Sequence, residues 1–174
     1  MRAIQAYFLD RVLMLLFKHE DIINGGELYL RRFVIRRDWS GTKGHIYLHH
    51  IYKSDDDRFP HDHPWAFNTF VLAGGYLNHE YPYHFIEAEP TRERVEIRPN
   101  RRYMVNRAKQ PVTTAALTGR LYRRGVNHCH LLELHPGRTA WTLVFTKSVA
   151  RPWGFLTETE WIYWRSYLDD WRGL

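Results

Sequence analysis

The chain has 174 residues, of which 44% are apolar, 16% aromatic and 25% charged, and it carries a formal net charge of +6. This composition excludes a disordered or fibrous chain, and the length permits one hydrophobic core without covalent staples. The lone cysteine, Cys129, excludes an intramolecular disulfide and a thiolate zinc finger, so a reducing, cytoplasmic setting is expected.

Residues 1–22 read as an N-terminal helix. Its apolar run from Val12 to Phe17 is interrupted by Asp10 and Arg11 and is followed by no small-residue cleavage site, which predicts an amphipathic helix rather than a signal peptide or a membrane span. Over about 4–19, Ala6, Leu9, Leu13, Leu16 and Phe17 fall on one stripe at helical spacing, suited to covering one opening or face of a barrel. The helix is expected to end near Asn24-Gly25-Gly26.

From Glu27 the period drops to two, and β-branched and aromatic residues alternate between turn signals. Strands are predicted over 28–37, 45–53, 65–77, 84–89, 92–98, 119–124, 128–134 and 140–146. Turns fall at Ser40-Gly41, 55–60, Gly74-Gly75 and His135-Pro136-Gly137. Many short strands with no helix between them indicate an antiparallel sandwich or barrel, here over 28–156. Residues 158–174 place Trp161, Trp164, Leu168 and Trp171 at three- and four-residue spacings, which predicts a C-terminal helix. No linker or internal repeat divides the chain, so a single domain over 1–174 is expected.

Eleven histidines are present, and their placement carries more than their number. His61 and His63 stand at i and i+2, so in an extended stretch both rings point to one face, which continues through Trp65 and Phe67. His128 and His130 alternate with Leu132 and Leu134 in the same manner. Inward imidazoles beside apolar side chains are costly unless satisfied, and neutral imidazole is a ligand for zinc, iron, copper and nickel, so a metal is the simplest resolution. Against it stands the plainer alternative of surface or hydrogen-bonded pairs. At most one of His49 and His50 faces inward, as a packed or hydrogen-bonded ring before a ligand. Asp55-Asp56-Asp57 offers a carboxylate, although acidic loop clusters are more often solvated turns. Glu133 lies opposite His130, where an arginine partner is expected, and Trp141, Trp153, Trp161 and Trp164 read as core or helix-docking residues.

The segment Pro60-His61-Asp62-His63-Pro64-Trp65 with Gly74-Gly75-Tyr76 resembles the first motif of the cupin superfamily, and the stretch 125–134 resembles the second. The order of these segments, with His49-His50, Trp141-Thr142-Leu143 and Trp153-Gly154-Phe155, is similar to small cupin-like proteins of bacteria and phages over roughly 28–165. The resemblance implies a mainly β, cupin-type antiparallel barrel (a double-stranded β-helix) with a helix at each end. It also implies a metal on His61, His63 and His130, with His128 as the alternative to His130 and with His49 and Asp57 as further candidates. Phe67 stands where common cupins carry a glutamate ligand, and Arg123-Arg124-Gly125-Val126 replaces the usual proline-glycine turn. What remains is similar to the three-histidine site of thiol dioxygenases.

The function expected from this is an iron oxygenase acting on a small anionic molecule, with Fe(II) first and zinc, nickel or manganese as alternatives. Arg101, Arg102, Arg123 and Arg124 are candidates to hold a substrate carboxylate at the barrel mouth. The alternatives are a non-catalytic cupin that binds a ligand, nucleic acid or protein, and a metal-dependent isomerase or hydrolase. Most basic residues alternate with apolar strand residues and read as solvated faces, while the net charge keeps a nucleic-acid partner open. A homodimer is implied by analogy with cupins, and no membrane partner is expected.

Overall fold

The computed structural model describes residues 3–24, 26–38, 40, 42–55, 59–86, 98 and 101–172. Helix α1 (Ala3–Leu16) leads into strands β1 (His19–Asn24), β2 (Glu27–Arg36), β3 (Ile46–Ile51), β4 (Phe67–Ala73) and β5 (Tyr76–Glu80). These are followed by β6 (Tyr83–Phe85), β7 (Arg102–Arg107), β8 (Val112–Ala116), β9 (Leu121–Arg124) and β10 (His130–Leu134). The chain closes with β11 (Ala140–Thr146), β12 (Gly154–Leu156), β13 (Glu160–Tyr163) and α2 (Trp164–Arg172).

Every strand pairing is antiparallel. A six-stranded sheet has the order β1-β2-β3-β11-β4-β9, a three-stranded sheet β10-β5-β8, and a four-stranded sheet β12-β13-β7-β6. The turn between β4 and β5 carries the chain from the first sheet to the second. Gly74 makes it with φ of 88°, and a Cβ there would stand 2.0 Å from the Thr139 carbonyl oxygen, so no other residue fits.

Period-two alternation sorts the six-stranded sheet into two buried faces. Leu30, Tyr47, Ile51, Thr69, Thr142 and Val144 face an interior cavity, which Leu132 of β10 closes from the opposite sheet. On the outer face Arg31, His50 and Trp141 lie in register across β2, β3 and β11. Helix α1 covers this row, but with only part of the expected stripe. Leu16 and Leu9 are exposed, as are Phe8 and Leu15, Leu13 and Phe17 are half-buried, and the most buried described residue of the helix is Asp10. Asp10 accepts hydrogen bonds from Arg31 (2.7 Å), from the Tyr52 hydroxyl and from His50 Nδ1 (3.3 Å), so the helix is docked by a buried polar network.

The helix also ends sooner than the sequence suggests: 19–24 form β1, an edge strand on β2. Strands β7, β8, β12 and β13 were not anticipated, and β13 takes the first turn of the expected C-terminal helix. The strand predicted over 92–98 falls, except for Arg98, outside the described residues. Helix α2 docks by aromatic contact, with Tyr167 stacked on Phe155 (3.9 Å between centroids) and Trp164 stacked on Trp153 (5.5 Å). No described helix is long and apolar enough to cross a membrane.

Candidate metal centre

The His61-Asp62-His63 segment is not part of a regular strand. His61 is inserted between β10 and β12, with single bridges to His130 and Phe155, and so joins the three- and four-stranded sheets. Its backbone exchanges hydrogen bonds with His130 (3.1 and 2.9 Å). Asp62 then points away from the cavity and pins the segment. Fully buried, it accepts hydrogen bonds from Trp161 Nε1 (2.8 Å), the Tyr83 hydroxyl (3.0 Å), the Gly154 amide (2.8 Å) and Arg151 (2.6 Å). Burial pushes the Asp62 pKa upward, against the lowering pull of Arg151, Gly154 and Trp161. Gly154 is needed there because a Cβ would stand 2.1 Å from the Ile162 carbonyl oxygen and 2.7 Å from the Trp161 ring.

With Asp62 turned outward, its neighbours His61 and His63 turn inward together, where they meet His130 at the start of β10. One ligand atom from each of the three rings lies within 4.8 Å of the others. The Nε2 atoms of His63 and His130 are 3.1 Å apart. Adjacent nitrogens bound to one cation at about 2.1 Å would stand roughly 3.0 to 3.4 Å apart, so the spacing suits a shared metal. His130 Nδ1 donates to Asn78 Oδ1 (2.7 Å), which leaves Nε2 as the lone-pair nitrogen of a neutral ring. His61 Nδ1 is buried and has no hydrogen-bond partner among the described residues. Burial holds His63 and His130 well below the usual imidazole range, with further lowering from the neighbouring rings, so they are neutral and fit to ligate.

No described carboxylate belongs to this group. Phe67 packs edge-on against His63, with centroids 4.7 Å apart. His128 turns aside. It sits behind His130 with Nε2 3.4 Å from Asn78 Oδ1 and Nδ1 3.2 Å from Glu80, and burial brings its pKa down to about 4 against the pull of Glu80. His49 lines the cavity without joining the three histidines, and it accepts from Arg32 Nε at 3.3 Å. His50 belongs to the outer face. Asp57 lies outside the described residues. Asp55 lines the cavity, but its carboxylate is engaged by the Tyr29 hydroxyl and the Leu132 amide. Glu133 is on the outside, paired with His79 at 2.8 Å rather than with an arginine.

The cavity over the histidines has a volume of about 460 Å³ and an apolar wall. None of Arg101, Arg102, Arg123 and Arg124 lines it. Arg101 is exposed and Arg102 is paired with Glu160 on the four-stranded sheet, while Arg123 and Arg124 border a separate shallow pocket beside His128. The guanidinium in the cavity is that of Arg32, a residue the sequence reading passed over.

No protein-family description matches the chain, and no curated protein does. Solved structures do match. "Crystal Structure of FeII HppE" aligns with a TM-score of 0.51 at 10% identity, over 75% of this chain and 56% of that one. "Crystal Structure of Fe(II)-HppE with alternative substrate (S)-1-HPP" aligns with a TM-score of 0.50 at 10% identity, over 75% and 55%. The chain has the cupin-type β fold. It spans little more than half the length of the HppE chains it matches. The polyketide cyclase RemF from Streptomyces resistomycificus also aligns, at a TM-score of 0.46 and 16% identity, over 78% and 76%.

Proposed function

We propose that this protein is a metal-dependent cupin-type oxygenase that binds one divalent cation through His61, His63 and His130 and takes a small anionic organic molecule into the cavity beside it. The observation that carries this is the convergence of three imidazoles on one point of a cavity wall, with one ring nitrogen left without a partner among the described residues. A bare cluster of this kind is costly to bury, and a cation satisfies it.

Bound iron(II) would supply a Lewis-acidic centre with positions left open for substrate and dioxygen. The chain's own residues do the rest. Asn78 fixes which nitrogen of His130 faces the cation, Asp62 holds the 61–63 segment in place, and Phe67 takes the position from which an acid would cancel the charge. With no carboxylate in the group, an anionic ligand balances the dication. The apolar wall formed by Ile51, Leu132, Val144 and Phe155 excludes water around it. Two structures of the same fold are of Fe(II) proteins, which makes iron the first metal to load.

The test is elemental analysis of the purified protein, followed by anaerobic iron(II) loading and oxygen-uptake assays over a panel of small carboxylates and thiolates, without 2-oxoglutarate. About one metal per chain and substrate-dependent oxygen uptake are expected. Absence of stoichiometric metal uptake would overturn the site. Full metal occupancy with no uptake across the panel would replace the oxygenase by a metal-dependent isomerase or hydrolase or by a non-catalytic ligand binder.

A further inference from the structure

Arg32 is an unusual residue to find in the wall of a β-barrel cavity. Its side chain leaves β2 beside Leu30 on the inward face, lies over the Tyr47 ring with the guanidinium carbon 4.8 Å from the centroid, and donates from Nε to His49. The nearest carboxylate is Glu20, at 3.6 Å from NH1, longer than a hydrogen bond. Glu20 is already committed to Arg37 at 2.6 Å. Among the described residues the two terminal nitrogens of Arg32 donate to no closer partner. Its ion pair with Glu20 is thus a long one, and the side chain borders the cavity.

The rest of the wall fixes the kind of molecule that would complete it. Ile51, Leu132, Val144, Phe155 and Trp153 give the lining an apolar part, and the one carboxylate of the lining, Asp55, is spent on Tyr29 and the Leu132 amide. The volume of about 460 Å³ lies in the lower part of the range for small-molecule sites. Arg32, His61, His63 and His130 line the same cavity, so one ligand in it can meet both the guanidinium and the histidine cluster.

We infer that the cavity binds an amphipathic monocarboxylate, with its carboxylate on Arg32, its apolar or aromatic body against Leu132, Val144 and Phe155, and its opposite end toward the three histidines. This deepens the proposed function and rests on it only for the cation at that opposite end. A guanidinium held over the Tyr47 ring loses less freedom when it meets a carboxylate with two parallel hydrogen bonds. A polar amino acid would leave its ammonium group unpaired against the aliphatic wall.

Trp65 and Trp153 line the cavity, so binding can be followed by tryptophan fluorescence in chelator-treated protein and again in zinc-loaded protein. The probes are 4-phenylbutyrate, its primary amide, and acetate. The acid should bind at least roughly tenfold more tightly than either, and Arg32→Gln should weaken it by roughly 30-fold while leaving the amide unchanged. Arg32→Lys should retain part of the preference, and Arg123→Gln, away from the cavity, all of it. Equal binding of acid and amide by the native protein would overturn the inference without any variant, and so would an Arg32→Gln protein that keeps the preference. Acid selectivity in protein that takes up no metal would uphold this site and sink the metal centre, whereas full metal uptake without acid selectivity would do the reverse.

Discussion

Asp62 and Arg151 meet at 2.6 Å, with the carboxylate fully buried and the guanidinium nearly so. The pair lies behind the histidine cluster, and Asp62 separates the two histidines that face it. Replacing Asp62 by Asn leaves Arg151 buried without its counter-charge, and breaking such a pair costs about 3 to 5 kcal/mol. Urea denaturation should show that loss, and metal affinity should fall with it because the 61–63 segment is no longer pinned. A stable Asp62→Asn protein with unchanged metal affinity would show that the backbone bridges of His61 suffice.

The His61→Ala/His63→Ala double variant should bind metal well below one per chain by elemental analysis. The native protein should gain about 2.7 kcal/mol of stability when metal is present at a hundred times its dissociation constant, and the double variant should gain none. Full occupancy in the double variant would remove these residues from the site.

Helix α1 gives contrasting outcomes on its two sides. Leu15, which is 87% exposed, should tolerate alanine within about 0.5 kcal/mol. Asp10→Asn, by contrast, strips the carboxylate from Arg31, His50 and Tyr52 and should cost about 3 kcal/mol or more. Equal effects on the midpoint of thermal unfolding would show that the helix is held by its leucines after all.

Acid sensitivity should have a component from His50. Burial holds its pKa below the usual range despite Asp10, and in the unfolded chain an imidazole titrates near about 6.5. Above that pH this group adds no slope. Below it the unfolded chain takes up the proton first, so stability falls as the pH drops toward the folded pKa, by at most about 1.4 kcal/mol per pH unit for one proton. Denaturation of chelator-treated protein at pH 7.5, 6.5 and 5.5 should give a shallower decline for His50→Gln than for the native chain. Identical slopes would assign the acid loss to other groups.

Much of the cavity face could be read from alternation alone. His130 shares its face with Leu132 and Leu134, and the 140–146 strand stands where the period-two pattern put it. Arg32 escaped because both faces of β2 are buried: Phe33 lies fully covered on the outside and Leu30 on the inside, so apolar periodicity cannot say which member of Arg31-Arg32 points in. The role of Asp62 was equally hidden, since Tyr83 and Trp161, which bond to it, are 21 and 99 residues away in the chain. The strand β1 reads as the tail of a helix because His19 and Glu20 lack strand character, and its pairing with β2 is what makes it one. The apolar stripe on α1 was right only in part: Leu13 and Phe17 are half-buried beside Asp10, while Leu9 and Leu16 are exposed, because counting apolar positions took no account of a buried aspartate.

The two halves of the histidine cluster, His63 and His130, are 67 residues apart in the chain. During synthesis the His61/His63 pair emerges long before β10, and later still come Gly154 and Trp161, which clamp Asp62. A two-histidine fragment holds a cation weakly, and closing a loop of that length carries its own entropic cost. The complete chelate therefore exists only after the barrel is assembled. An ion bound there would be chosen by whichever metal is exchangeable around the finished protein, so expression of the same chain in iron-poor and iron-rich media should give differently metallated preparations of one fold.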